Sequence, residues 1–334
     1  MAPTTSIREV AAHAGVSVGT VSNVLNRPEL VTPATRQRVH QAIEALGFVR
    51  NESARQLRAG HSRTIGLMVL DVANPFFTDL ARGVEDAAND AGLAVILCNS
   101  DESAAKETAY FDVLEEQRVR GVLVSPVRGV RNQVVKMRAR GIPIVLVDRK
   151  ATRRDQCSVS VDDVAGGDLA ASHLLDRGHD RIGYVSGPLT IRQCRDRRVG
   201  ALHALERTGR KADELLVFEA AALNVASGRA QTRLLLEQPE PPSAVFCAND
   251  LLALGALQEA VRAEKRVPDD LAIVGYDDIE FASAAAVPLT SVRQPRYELG
   301  VAAARLLIEE ADEPETHLHQ RLVFEPELVV REST

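Results

Sequence analysis

The chain has 334 residues, enough for two or three domains at about 100–200 residues each. Hydrophobic residues at 45% and charged residues at 26% exclude a disordered, collagen-like or membrane-embedded chain. The net charge of −6 is uneven: residues 1–60 carry +3 and the remainder −9, so a small basic module suited to a polyanion precedes an acidic body.

The first residues contain no apolar stretch behind a basic start, and no apolar run reaches the roughly 18 residues of a membrane span, so a cytoplasmic protein is expected. Ser6-Ile7-Arg8-Glu9 has the form of a capping box and opens a first helix, with Ile7, Val10, Ala11 and Ala14 on one face and Gly15 as its stop. Ser17 caps a second helix lined by Val21, Val24 and Leu25. The three-residue turn between the two forces a steep crossing, the helix-turn-helix arrangement. Thr32 and Pro33 supply a cap and a first-turn proline for a third helix carrying Val39, Ile43 and Leu46 before Gly47. Residues 51–58 are long enough for two turns, too few to hold a helix in water unaided, and read as a conditional hinge helix leading into a joint at 60–63.

From residue 65 apolar strands alternate with amphipathic helices. The strands are expected at 65–71, 94–99, 121–125, 142–148, 158–162, 182–186, 215–219, 244–248, 271–276 and near 289–293. Continuous apolar runs imply strands buried on both faces and hence parallel sheets. Ten strands exceed one ordinary open sheet, so the body divides into two doubly wound subdomains, about 64–161 with 291–320 and about 162–290 with 321–334. Several helices are expected to end at Gly92, Gly141, Gly178 and Gly209.

No dinucleotide, phosphate-loop, nucleophile-elbow or zinc-protease motif is present. No catalytic residue, metal site or cofactor is therefore expected. Cys98, Cys157, Cys194 and Cys247 lack metal or redox spacing and read as reduced core thiols, and the eight histidines are scattered. Carboxylates at strand ends (Asp71, Asp148, Asp162, Asp277, Asp278) have no nucleophile beside them, which favours hydroxyl binding over acid–base chemistry. Asn74, Ser125, Asp148, Arg149, Asn249, Asp277 and Gln294 mix donors and acceptors suited to a sugar, with apolar faces from Phe76 and Phe77. The same Asp and Asn positions also suit helix caps, so each has two readings. A sugar receptor without a DNA role and an enzyme of sugar metabolism are the rivals that these residues alone leave open.

Ile7-Arg8-Glu9-Val10-Ala11, Ala14-Gly15-Val16-Ser17, Thr20-Val21-Ser22-Asn23-Val24-Leu25-Asn26 and the segment from Arg50 to Gly60 resemble the headpiece and hinge of the LacI/GalR (lactose-repressor) family. The body resembles that family's periplasmic-binding-protein-like core through Asn74-Pro75-Phe76-Phe77, Val147-Asp148-Arg149, Cys247-Ala248-Asn249-Asp250, Gly275-Tyr276-Asp277-Asp278 and Arg293-Gln294-Pro295. The resemblance implies an all-α helix-turn-helix headpiece over 1–50, a hinge over 51–63 and an α/β effector-binding and dimerisation core over 64–334.

It implies that Val18, Gly19, Ser22 and Asn23 occupy base-reading positions. Gly19 offers no side chain, which throws discrimination onto Asn23 and Val18. Ser6, Ser17, Thr20, Asn26 and Thr35 match phosphate-holding positions. In the hinge, Ala54 and Arg58 fall on DNA-facing positions and Leu57 on a minor-groove wedge. In the core the ligand positions are Asn74, Phe76, Phe77, Ser125, Asp148, Arg149, Arg197, Leu223, Asn249, Asp277 and Gln294. Ser125 replaces a larger amide and Leu223 an aromatic platform, which departs from the ribose binders. Arg197 falls into place through its R-x-x-G spacing to Gly200. The implied partners are palindromic operator DNA, a second copy of the chain and a monosaccharide or related effector, pentose-like in size. No leucine heptad follows Arg331, so no tetramer is expected.

Overall fold

The computed structural model describes residues 5–48 and 62–334. The chain divides into two compact units, Met1–Ser62 and Arg63–Thr334. The expected hinge helix at 51–58, with Ala54, Leu57 and Arg58, lies outside the described residues.

The first unit contains helices α1 (Ile7–Ala14), α2 (Val18–Asn26) and α3 (Pro33–Ala45). Local chemistry sets their ends. Ser6 accepts from the Glu9 backbone N–H while the Glu9 carboxylate accepts from the Ser6 N–H, a complete capping box. Gly15 stops α1 in the left-handed region, at φ 65°, where a side chain would be strained. The Ser17 hydroxyl accepts from the Thr20 N–H and opens α2. Thr32 differs from expectation: its hydroxyl donates to the Thr35 hydroxyl at 3.0 Å and makes no cap to a backbone N–H, leaving Pro33 to start α3. Val10, Ala11, Ala14, Val21, Val24, Val39 and Ala42 form the core of this unit, with Ile7, Val16, Leu25, Ile43 and Leu46 packed around it.

The second unit contains two six-stranded sheets. The first holds β1 (Thr64–Val69), β2 (Ala94–Asn99), β3 (Val122–Val124), β4 (Ile144–Val147), β5 (Ser158–Val161) and β11 (Arg321–Phe324), in the order β11-β5-β4-β3-β1-β2 and parallel throughout. The second holds β6 (Ile182–Ser186), β7 (Leu215–Glu219), β8 (Ala244–Cys247), β9 (Ala272–Asp277), β10 (Thr290–Arg293) and β12 (Glu327–Val329), in the order β12-β10-β9-β8-β6-β7. Only its edge strand β12 is antiparallel. The helices that position the site are α4 (Pro75–Asp90), α5 (Ala104–Glu116), α6 (Arg131–Arg138), α7 (Asp163–Asp176), α8 (Arg192–Arg207), α9 (Val225–Leu236), α10 (Asp250–Arg262), the short α11 (Glu280–Ser283) and α12 (Arg296–Asp312). Gly92, Gly141, Gly178 and Gly209 all take positive φ after helix ends.

The expected division into subdomains needs two corrections. Thr290–Arg293 lies wholly in the second sheet, so the chain returns to the first subdomain after Arg293 and not at 290. Arg321–Phe324, expected in the second subdomain, pairs in parallel with β5 on the first sheet, and the final crossing follows Phe324. Both β11 and β12 are short edge strands with no buried residue, so neither has the burial that marks the central strands. The four cysteines are free and buried. Among the described residues no helix is long and apolar enough to cross a membrane.

Candidate functional site

Parallel sheets expose polar loops at the carboxyl ends of their strands, and here residues that follow β1 and β4 of one subdomain meet residues that end β9 and follow β6 of the other. Asn74 caps α4 by accepting from the Phe76 N–H, and its amide donates across the cleft to Asp277 Oδ2 at 3.1 Å. Gln193, from α8 in the second subdomain, donates back to the Asp148 carboxylate at 2.7 Å and to its carbonyl at 2.8 Å. Gln294 braces the other oxygen of Asp277 at 2.7 Å. Asn249 caps α10 and donates to the Leu223 carbonyl at 3.2 Å. The cavity enclosed by Asn74, Asp148, Gln193, Asn249 and Asp277 measures about 30 Å³ and is also lined by Leu70, Phe76, Phe77, Glu102, Arg197 and Leu223. At roughly 10–15 Å³ per water it holds about two waters.

Arg197 is the central cation. It is buried, donates to Asp163 Oδ1 at 2.8 Å and to the Ala248 carbonyl at 2.6 Å, stands 3.9 Å from Asp277 Oδ1, and lies over the Tyr276 ring at 3.6 Å. Close helix packing makes this reach possible. A Cβ on Gly167 would strike the Arg197 backbone, and one on Gly200 would strike the Val164 backbone, so the two glycines let α7 and α8 touch. The R-x-x-G spacing is thus a packing requirement.

Three carboxyl groups share this one guanidinium. Burial, then the nearby Asp163, push the Asp148 carboxyl up to about 8. Burial likewise raises Asp163 and Asp277, against the pull of Arg197. For Arg197 burial works downward, and Asp163, Tyr276, Asp277 and Asp148 more than reverse it, holding the guanidinium well above its usual range. Asp148 and Asp277 also sit at positive φ, 57° and 107°, a strained backbone that concentrates at binding sites.

The structure brings Asn74, Phe76, Phe77, Asp148, Arg197, Leu223, Asn249 and Asp277 together at one cavity. Three expected residues are not part of its lining. Ser125 is buried and its hydroxyl makes no hydrogen bond among the described residues. Gln294 stands behind Asp277. Arg149 donates to the Arg128 carbonyl at 2.6 Å and lines a separate hollow with Arg131 and Arg153. Gln193, Glu102, Ile191 and Cys194 line the cavity without having been singled out. Gln193 was concealed in a polar run, Arg192-Gln193-Cys194-Arg195-Asp196, whose only sequence signal is the helical register that puts Gln193 one turn before Arg197. Asn74 and Asn249 each cap a helix and also line the cleft.

On the helical unit, Val18, Gly19, Asn23 and Asn26 are exposed along one side of α2, with Ser22 half-buried among them, while Val21 and Val24 face the core. The Asn23 side chain makes no hydrogen bond among the described residues. Ser17 and Thr20 join hydroxyls at 2.9 Å at the helix N-terminus, where exposed N–H groups favour a phosphate. Ser6 is exposed and Thr35 half-buried.

Residues 6–51 match the family model described as bacterial regulatory proteins, lacI family, and residues 171–334 match a periplasmic binding protein-like domain. The chain is 34% identical over 330 residues to the ribose operon repressor of Escherichia coli (strain K12), covering 98% of this chain and 99% of that protein. It is 33% identical over 332 residues to the HTH-type transcriptional repressor PurR of Aliivibrio salmonicida, covering 98% of each. Among solved structures it resembles the lac repressor dimer bound to operator and the anti-inducer ONPF, with a TM-score of 0.85, 27% identity and 99% of both chains covered. It also resembles a LacI family transcriptional regulator from Enterococcus faecium with bound ribose, with a TM-score of 0.75, 30% identity, 81% of this chain covered and 98% of the other. The exposed face of α2, the two-sheet core and these full-length similarities lead to one conclusion: the chain belongs to the LacI family and is a DNA-binding transcriptional regulator, not an enzyme.

Proposed function

We propose that the protein represses sugar-utilisation genes as a cytoplasmic, nucleoid-associated homodimer, and that a monosaccharide or related polyol in the cleft controls its hold on a palindromic operator. Two-fold symmetry of the dimer calls for a two-fold site. Val18, Ser22 and Asn23 read bases beside the side-chain-free Gly19. Ser6, Ser17, Thr20, Asn26 and Thr35 hold phosphates. Ala54, Leu57 and Arg58 engage the minor groove from the hinge.

One observation carries the coupling of the two sites. The cleft is bridged directly by Asn74 to Asp277 and by Gln193 to Asp148, and its volume is about 30 Å³. A sugar cannot enter without parting the subdomains and replacing those bonds with its own hydroxyls. Ligand binding and subdomain movement are therefore one event, which gives the ligand the differential affinity for two states that allostery requires. Vicinal hydroxyls suit the site, since Asp277 and Asn249 accept and donate while Arg197 donates. Phe76, Phe77 and Leu223 cover the carbon faces. Gln294 supports the pocket from behind through Asp277.

The test is calorimetric titration of the full-length protein with D-ribose, D-xylose, L-arabinose and D-glucose. Saturable binding of at least one is expected, weakened by roughly 2–3 kcal/mol in Asp277→Asn. Equal binding by wild type and variant would remove the cleft assignment.

A further inference from the structure

The connection into β11 gathers four metal-ligating side chains from distant parts of the sequence. Strands β5 and β11 run parallel with Arg321 opposite Ser158, so the residues that lead into each lie side by side at the sheet edge away from the cleft. Cys157 immediately precedes β5, His317 and His319 precede β11, and Glu310 is in the last turn of α12. Their ligand atoms all fall within 4.8 Å of one another.

We propose that Cys157, Glu310, His317 and His319 form a tetrahedral site for a zinc-class divalent ion. Cys157 Sγ stands 3.1 Å from His317 Nε2 and 3.6 Å from His319 Nδ1. Tetrahedral zinc with ordinary Zn–S and Zn–N bond lengths separates those atoms by about 3.6 Å. Glu310 Oε2 lies 3.8 Å from His319 Nδ1. That oxygen is buried and accepts no hydrogen bond, because Arg138 engages the other one, Oε1. Candidate outer partners stand nearby as well. His317 offers Nε2 to the centre, and its buried Nδ1, which makes no hydrogen bond among the described residues, lies 3.3 Å from Glu309 Oε1, near enough for that carboxylate to turn and orient a metal-bound imidazole. The Gln320 N–H points at the Cys157 sulfur at 3.3 Å, as amides do toward a thiolate.

Hydrogen bonding alone accounts for the cluster less well. Suitable imidazole tautomers can satisfy both contacts to the sulfur, but the buried Glu310 Oε2 and His317 Nδ1 still have no hydrogen-bond partner among the described residues. Thiolate, carboxylate and two neutral imidazoles around a divalent ion sum to zero charge, which suits a site where Cys157 is fully buried and the His317 side chain is 1% exposed. The His319 side chain, 25% exposed, provides the way in. Four protein ligands leave no open position, so the ion clips the connection after α12 to the start of β5 and performs no chemistry.

The experiment uses the full-length protein, reduced, stripped with a chelator and dialysed free of it, then titrated with Co²⁺. The result expected is one Co²⁺ per chain with intense visible bands and a thiolate-to-cobalt charge-transfer band, both bleached by Zn²⁺, and a higher melting temperature in Zn²⁺ than in chelator. Cys157→Ser should lose the charge-transfer band. His319→Gln, at a partly exposed position the fold tolerates, should weaken binding by more than the roughly 10- to 100-fold expected for the outer-partner variant Glu309→Gln. Absence of the charge-transfer band in the wild type, its survival in Cys157→Ser, or unchanged affinity in His319→Gln would each overturn the proposal.

Discussion

Asp148→Asn should stabilise the protein, and increasingly so as the pH rises. Asp148 is buried, with Oδ2 held by Gln193 and Oδ1 without a hydrogen bond. Burial and the neighbouring Asp163 lift its carboxyl from 3.8 to about 8. The sign follows from linkage. The folded chain holds this proton up to about pH 8 while the unfolded chain releases it near pH 4, so stability is fully present below the lower value and is lost as pH climbs through the higher one. A shift of about four units, at 1.36 kcal/mol each, sets a ceiling of about 5–6 kcal/mol. Part of the lift belongs to the charge on Asp163, so on the order of 2–4 kcal/mol should separate the variant from wild type between about pH 5 and 8. Asparagine suits the test because it tolerates the left-handed backbone at this position and keeps an oxygen for Gln193. Urea unfolding of both proteins at several pH values measures the difference. Parallel stability profiles for the two would refute a buried, protonated Asp148.

Arg197→Ala should cost about 3–5 kcal/mol in stability, since it strands Asp163 and Asp277 in a buried site. Thermal and urea midpoints will check this, and the loss should shrink toward acid pH as those carboxyls take up protons. Gly200→Ala should cost about 1–3 kcal/mol by forcing α7 from α8, read from the same midpoints. Asn23→Ala should lower operator affinity by about 1–3 kcal/mol while leaving binding to scrambled DNA unchanged, measured by anisotropy. The wild-type dimer, if it makes about ten phosphate contacts, should show log K falling with log salt at a slope near −9.

What was legible in the sequence follows the range of the forces involved. Ser6, Gly15 and Ser17 announced their helix ends because a cap is made within three or four residues. The eight central strands are buried along nearly their whole length, and most of them stood out as apolar runs, while the partly exposed edge strands β2 and β7 were recognisable from their apolar composition alone. The edge strands β11 and β12, buried on neither face, left no such trace, and the subdomain boundaries shifted with them. In the cleft, residues at strand ends and helix caps were recognisable from position and type. Gln193 reaches Asp148 only after α8 docks, so nothing local marked it. Arg149 follows Asp148 directly, yet the positive φ of Asp148 accompanies a turn that sends the arginine to another hollow. Cys157 lies 160 residues from His317, and no spacing rule reaches that far.

The most direct test of the account is operator binding by the full-length protein with and without each sugar of the panel, in wild type and in Asp277→Asn. At least one sugar should change wild-type operator affinity by about 5- to 150-fold, the span of a coupling of roughly 1–3 kcal/mol. The variant should bind operator as wild type does and ignore the same sugar. A response of equal size in the variant, or a wild-type protein that binds the sugar with no change on DNA, would contradict control through the cleft.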